Sequence, residues 1–216
     1  MPVGDPRLLV AAAIVVSLAS ASADVVRRTF DQDAIGAPPT GFSFAAARLP
    51  AAGPWLVRAD GANRYLVHPS VASPTEGFSL AVLDMAPPAE LRLSARIKLV
   101  DGSRVGGLVW RYQNPENFFA VSLDLAGQEM ALYRVARGNR IRLEFEDDLE
   151  LDRDAWHVVR VEHADGRIRV SLGGIGVMRA RDRAATDTGR AGIWSDGGAT
   201  AWFDDLHVED APDRER

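Results

Sequence analysis

An acidic run near the middle of the chain contains residue types that can cleave glycosidic bonds. Glu146, Asp148 and Glu150 alternate with other residues, so in an extended strand they would share one face, with neighbours about 6 to 7 Å apart. Most glycosidases place an acid and a second carboxylate on either side of the bond. Asp147, however, would then point inward, and burying an unpaired carboxylate costs several kcal/mol. The run is therefore interpreted as a solvated acidic edge, and no catalytic residue is assigned.

Other catalytic residue types lack the spacing that their chemistry needs. The chain contains neither a GxSxG elbow nor an HExxH motif. It has no cysteine, which excludes a thiolate nucleophile, a disulfide and a thiolate zinc site. The run from Gly173 to Gly176 lacks the lysine of a phosphate loop and is typical of a hairpin. The histidines show no metal-ligand spacing; they are His68, His157, His163 and His207.

Charge and composition restrict the partners. Lys and Arg together number 25 against 30 Asp and Glu, a formal net charge of -5 over 216 residues. Such a balance does not attract a polyanion, so nucleic acid is excluded as the expected partner. The hydrophobic fraction of 47% is enough to build a core.

The N-terminus has the order of features found in a secretory signal peptide. Arg7 precedes an uncharged run from Leu8 to Ala23, which ends in the small-residue site Ala21-Ser22-Ala23. The apolar core is too short to span a bilayer comfortably. Residues 1–23 are therefore predicted to be cleaved, leaving a periplasmic or extracellular protein with no membrane span.

Short alternating segments dominate the rest of the chain and predict β-strands. Residues 91–99, 118–125 and 167–172 each alternate apolar with polar side chains. Turn dipeptides separate such segments: Asp60-Gly61, Asp101-Gly102, Gly138-Asn139, Asp165-Gly166, Gly173-Gly174 and Asp196-Gly197. Residues 31–54 are rich in Pro, Gly and Ala and are expected to be irregular. The pattern predicts an all-β sandwich or barrel over residues 24–209, followed by a disordered charged tail, 210–216.

Several of these segments carry a family resemblance. GGLVWRYQNPENFFAVSLD from Gly106, EMALYRVARGNRIRL, WHVVRVEHADGRIRVSLGG and GRAGIWSDGGATAWFDDLHVE together resemble the concanavalin A-like (laminin G-like) jelly roll of bacterial secreted proteins. Within it, the chain is most similar to the 3-keto-disaccharide hydrolase domain, over roughly Phe30 to Val208. The resemblance implies a two-sheet antiparallel jelly-roll sandwich with one concave sheet whose outer face binds a ligand.

The implied ligand face can be assigned residues by alternation. If Leu108, Trp110 and Tyr112 point into the core, Arg111 and Gln113 point outward, on the face expected to carry Arg96 and Asp124 as well. Such side chains suit sugar hydroxyls, which both donate and accept. The alternative is a solvated face with cross-strand ion pairs. The predicted ligand-binding residues are Arg96, Arg111, Gln113, Asn117, Asp124 and Trp194.

The tryptophans divide into two predicted groups. Trp110, Trp156 and Trp202 lie inside alternating segments and are expected in the core. Trp55 and Trp194 lie next to turn residues, where an exposed ring could stack on a sugar.

A structural calcium is a further implication of the resemblance, because related jelly rolls tie the first strand to the last with carboxylates. The corresponding residues are Asp31, Asp204 and Asp205, which supply the oxygen ligands that calcium prefers. The alternative is that they are turn and edge carboxylates.

Together these features predict a secreted or periplasmic β-sandwich that recognises carbohydrate, either a glycan or a small saccharide. Two alternatives stay open: a glycoside hydrolase of the 3-keto-disaccharide hydrolase type, and a non-catalytic structural module of the cell envelope.

Overall fold

The computed structural model describes residues 26–49, 53, 55–69, 77–100, 105–182, 188–196 and 200–211. The predicted signal peptide lies outside the described residues. The strands are β1 (Val26–Arg28), β2 (Phe42–Ala47), β3 (Leu56–Asp60), β4 (Asn63–His68), β5 (Phe78–Leu83), β6 (Leu91–Val100), β7 (Val105–Asn114), β8 (Asn117–Asp124), β9 (Glu129–Ala136), β10 (Asn139–Glu146), β11 (His157–Ala164), β12 (Arg167–Leu172), β13 (Ile175–Arg181), β14 (Arg190–Ser195) and β15 (Thr200–Asp210).

These strands form two antiparallel sheets. Sheet A has the order β13-β12-β11-β6-β15-β4-β3, with β1 paired to the end of β15 beyond β4. Sheet B has the order β10-β9-β8-β7-β14-β5-β2. The predicted two-sheet antiparallel sandwich is confirmed.

Alternation along the strands builds the core between the sheets. In β6, Leu91, Leu93, Ala95 and Ile97 are buried, while the polar residues that alternate with them are partly exposed, as predicted. Phe203 of β15 and Trp110 of β7 enter the same core from opposite sheets.

Tight turns close the hairpins at predicted dipeptides. Asp165 and Gly166 both have positive φ, 51° and 64°, between β11 and β12. Gly173 and Gly174 do the same between β12 and β13, with φ of 56° and 89°. Two consecutive positive φ angles are typical of the type I′ turn, whose twist matches that of the flanking strands.

Two predictions about segment boundaries are wrong. The segment expected to be irregular contains β2, which pairs along its length with β5; its Phe42-Ser43-Phe44 alternation is short and lies within a stretch of Pro, Gly and Ala. The predicted tail begins too early, because Asp210 still pairs with Leu91. Residues 212–216 lie outside the described residues.

A bulge in β7 overturns the predicted alternation there. Arg111 has a φ of 49°, and the pairing with β8 shifts register between Trp110 and Asn114. Trp110 therefore packs in the core between the sheets, whereas Tyr112 packs on the outer face of sheet B.

Candidate functional site

Three aromatic side chains meet on the outer face of sheet A. Because Phe203 points into the core, its neighbour Trp202 points outward. Trp202 stacks on Tyr65 of β4, with ring centroids 4.4 Å apart and planes 20° apart. Trp156, just before β11, lies 6.0 Å from Tyr65 and 6.4 Å from Trp202, centroid to centroid. Both tryptophans are half-buried.

Two cations of β6 lie over these rings. The Lys98 ammonium is 4.9 Å from the centroid of Trp202, and the Arg96 guanidinium is 4.8 Å from that of Trp156. We call Tyr65, Trp156, Trp202, Arg96 and Lys98 the aromatic patch. Aromatic rings beside charged donors can hold a ligand that has both an apolar face and polar substituents.

The acids beside the patch are engaged with arginines. Arg96 lies 3.6 Å from Asp204 and 3.3 Å from Asp205, and Arg27 lies 3.5 Å from Asp205. Burial raises the pKa of the Asp204 carboxyl. Burial also raises the pKa of the Tyr65 phenol, and the Asp60 carboxylate adds to that rise.

The prediction for four of the tryptophans is wrong. Trp156 and Trp202 were expected in the core, yet they form the partly exposed patch. Trp55 and Trp194, expected to be available to a sugar, are each 1% exposed. Their indole N–H groups donate to the Ser79 hydroxyl and to the Val121 carbonyl, each at 3.0 Å. A neighbouring turn residue does not indicate exposure; the signal that was missed is Trp202-Phe203, where only one of two adjacent rings can enter the core.

Sheet B has a concave outer face. Arg140 of β10 and Phe78 of β5 are separated by five strand spacings, about 24 Å in a flat sheet, yet the guanidinium lies 5.5 Å from the Phe78 centroid. The floor is apolar and fully buried, and includes Leu80, Val109 and Ala120. Arg140 also lies 3.8 Å from the centroid of Tyr133 at the rim.

The predicted ligand-binding residues do not share one face. Arg96 belongs to sheet A, whereas Arg111, Gln113, Asn117, Asp124 and Trp194 belong to sheet B. The bulge turns the Arg111 guanidinium to the Ala89 carbonyl, to which it donates at 3.1 Å.

The polar residues among them have local roles or are exposed. The Asp124 carboxylate accepts from the backbone N–H groups of residues 126 and 127 in the turn after β8. Asn117 donates to Asn114 and accepts from the Arg137 N–H. Gln113 is exposed.

The predicted calcium ligands also have partners in the protein. Asp31 accepts from the Arg64 N–H, and Asp204 accepts from the Asp205 N–H. Among the described residues, no group of three or more His, Asp or Glu side chains is arranged to hold a metal ion. Calcium binding stays a prediction; its three named residues accept backbone hydrogen bonds or form ion pairs with arginines here.

The acidic run lies at the edge of sheet B, as interpreted. β10 ends at Glu146, and residues 147–150 continue outside the strand. Asp148 has a φ of 57°, so the extended geometry that would align Glu146, Asp148 and Glu150 is not formed.

Trp110, His163, Arg134 and Asp182 form a largely buried polar cluster that the sequence did not predict. The Trp110 indole donates to His163 Nδ1 at 3.0 Å, and Arg134 pairs with Asp182 at 3.0 Å. Burial lowers the pKa of His163 to about 4, with a further lowering from Arg111 that Asp182 opposes. His163 is therefore neutral near pH 7. No spacing rule connects these residues, because three different strands and the chain after β13 contribute them.

The described part of the chain contains no helix with the length and apolarity needed to cross a membrane. No protein-family model matches the chain, and no curated protein matches it either. The finer resemblance to the 3-keto-disaccharide hydrolase domain therefore stays a prediction.

Solved structures confirm the concanavalin A-like fold. The chain is similar to the carbohydrate-binding module CBM66 from Bacillus subtilis, with a TM-score of 0.63 and 16% identity over 82% of this chain and 99% of that one. A protein of unknown function with a galectin-like fold, also from Bacillus subtilis, matches with a TM-score of 0.60 and 14% identity, over 80% of this chain and 91% of that one. A β-1,3-1,4-glucanase (lichenase) derived from a mouse hindgut metagenome matches with a TM-score of 0.58 and 14% identity, over 87% of this chain and 99% of that one.

Proposed function

We propose that this protein recognises carbohydrate through the aromatic patch on sheet A. The observation that carries the proposal is that Trp156 and Trp202 both point outward, are half-buried and pack against the ring of Tyr65. A soluble sandwich normally places rings of this size in its core, so their position at the surface calls for a binding role. A carbohydrate-binding module among the similar folds supports the same class of ligand.

The concave face of sheet B is the competing location. Its described floor is packed by Phe78, Phe118 and Trp194, whose rings are no more than 2% exposed. A sugar entering there would have to displace Arg140 from Phe78 and Tyr133. The rings of Trp156 and Trp202 are already partly exposed, and a ligand on Trp202 needs only the Lys98 side chain to move rather than a buried apolar floor to open, which is why we favour the aromatic patch.

Binding to a panel of immobilised glycans tests the proposal. Trp156→Ala and Trp202→Ala should each lower the affinity about tenfold or more, because a central aromatic contact typically contributes about 2 kcal/mol to binding. Tyr133→Ala is the matched control, since it removes a half-buried ring from the rim of sheet B. Circular dichroism and melting curves should show that the variants remain folded.

The pattern of loss separates the two faces. Loss of binding in Tyr133→Ala, with both tryptophan variants unaffected, would move the site to the concave face of sheet B. If Trp202→Ala is too unstable to assay, Trp202→Phe keeps an aromatic ring and should retain most of the affinity. A folded wild-type protein that retains no glycan from the panel would contradict the proposal.

We also propose that the protein acts outside the cytoplasm, in the periplasm or the extracellular medium. The support is the order of Arg7, the apolar run and the small-residue site ending at Ala23. Intact-mass spectrometry of exported protein should give a chain that begins at Asp24. A mature chain that begins at Met1 or Pro2 would exclude cleavage.

A further inference from the structure

The charges around the aromatic patch do not all cancel. Asp205 lies between Arg27 and Arg96, and Arg96 is also near Asp204. These ion pairs use the guanidinium of Arg96, which also lies 4.8 Å from the centroid of the Trp156 ring.

A second pair of charges lies on the next strands of the sheet. Arg58 pairs across from Tyr65, and Asp60 follows two residues later on the same face of β3. Both side chains act on the Tyr65 phenol, with opposite effects on its pKa. Arg58 and Asp60 lie on one face of β3 and have opposite formal charges, so together they add no net charge at this edge of the patch.

Of the two cations in the aromatic patch, Lys98 is the one without an acidic partner among the described residues. It pairs across from Trp202 in the sheet, and within the described ranges it has neither an ion pair nor a hydrogen bond, only its contact with the Trp202 ring. It is also the only lysine in a chain with 24 arginines. An ammonium on a four-carbon stem can leave the ring and turn to a bound anion, whereas a guanidinium held by two carboxylates cannot.

We infer that the carbohydrate bound by the aromatic patch is an acidic one, whose carboxylate or sulfate group pairs with the Lys98 ammonium while its ring lies against Trp156 or Trp202. This inference rests on the proposed function. When the ammonium turns to the anion, it uncovers the indole face that it occupies in the free protein. One movement thus provides both the counter-charge and the stacking surface.

Two pairs of polysaccharides test the inference, each differing in charge and sharing a backbone. Polygalacturonate is compared with its methyl ester, and dextran sulfate with dextran, by affinity electrophoresis and calorimetry at low salt. Wild-type protein should bind at least one acidic member tenfold or more tightly than its neutral partner. Lys98→Gln should remove that preference, and Lys98→Arg should restore most of it, because it keeps the charge.

Arg142→Gln is the control for net charge. Arg142 is exposed on β10 of sheet B and has no acidic partner among the described residues, so its variant changes the net charge equally and should keep the acidic preference. Equal losses in Lys98→Gln and Arg142→Gln would indicate only non-specific charge attraction and overturn the inference.

The remaining outcomes distinguish the inference from the proposed function. Equal affinity for the acidic and neutral members overturns the inference and leaves carbohydrate recognition intact. Binding to neutral glycans of the panel, with no binding to either acidic polymer, also overturns the inference and leaves carbohydrate recognition intact. Failure to bind any glycan overturns both.

Discussion

Adding one methyl group at Gly107 should cost about 3 kcal/mol or more of unfolding free energy, enough to unfold a marginal domain. A Cβ at this position would lie 1.8 Å from the Val121 carbonyl oxygen and 2.9 Å from the Trp194 indole nitrogen. The first of these atoms belongs to the backbone of β8, so the clash can be relieved only by moving a strand. Urea unfolding of Gly107→Ala, followed by tryptophan fluorescence, measures the loss.

Gly176→Ala is the matched control for this prediction. Gly176 lies in β13 at the edge of sheet A, and a Cβ there would meet no atom within 4 Å. Its unfolding midpoint should stay close to that of the wild-type protein. A Gly107→Ala protein with wild-type stability would show that β7 and β8 do not pair in the register described.

Acidification should destabilise the protein through His163 before most carboxylates are protonated. Burial lowers the pKa of His163 from 6.5 to about 4 in the folded state, while the unfolded chain has the ordinary value. Between these two values the unfolded state binds the extra proton, so the free energy of unfolding falls as the pH falls from 6.5 towards 4. By pH 4 this group alone accounts for a loss of about 3 kcal/mol relative to pH 7.

Variants of two histidines identify the source of this pH dependence. His163→Gln keeps an oxygen acceptor for the Trp110 indole but cannot titrate, so its stability should fall less steeply between pH 6.5 and 4. His157→Gln, which changes a partly exposed side chain hydrogen-bonded to the Asp152 carbonyl, should keep the wild-type slope. Parallel curves for wild-type protein and His163→Gln would show that His163 is not neutral in the folded protein.

Alternation alone predicted the strands whose two faces differ in polarity throughout. Leu91 to Leu99 in β6 and Ile168 to Leu172 in β12 behave in this way, because every second residue meets the core. Alternation gave the wrong faces after Arg111, because this one bulged residue reverses the direction of the side chains that follow it in β7. No feature of the residues between Trp110 and Asn114 distinguishes that bulge from a regular strand.

The candidate site was harder to predict than the fold, because both outer faces contain apolar residues. Sheet B buries a second apolar cluster on its concave side, including Val109 and Tyr112, so a polar outer face was the wrong expectation there. On sheet A, pairing across strands decides that Trp202 lies between Tyr65 and Lys98. Residues so far apart in the sequence are brought together only by the sheet order.

The position of β15 has a consequence for how the sandwich is assembled during synthesis. The ribosome completes this strand after all the others described, yet it lies inside sheet A, between β6 and β4. Until Thr200 to Asp210 have emerged, sheet A consists of two separate pieces, β13-β12-β11-β6 and β4-β3, and the three residues of β1 have no strand to pair with. The nascent chain therefore cannot close its core one segment at a time. Closure waits for one late strand, which must pair with β6, about a hundred residues earlier in the chain, and with β4 and β1, which lie further back still.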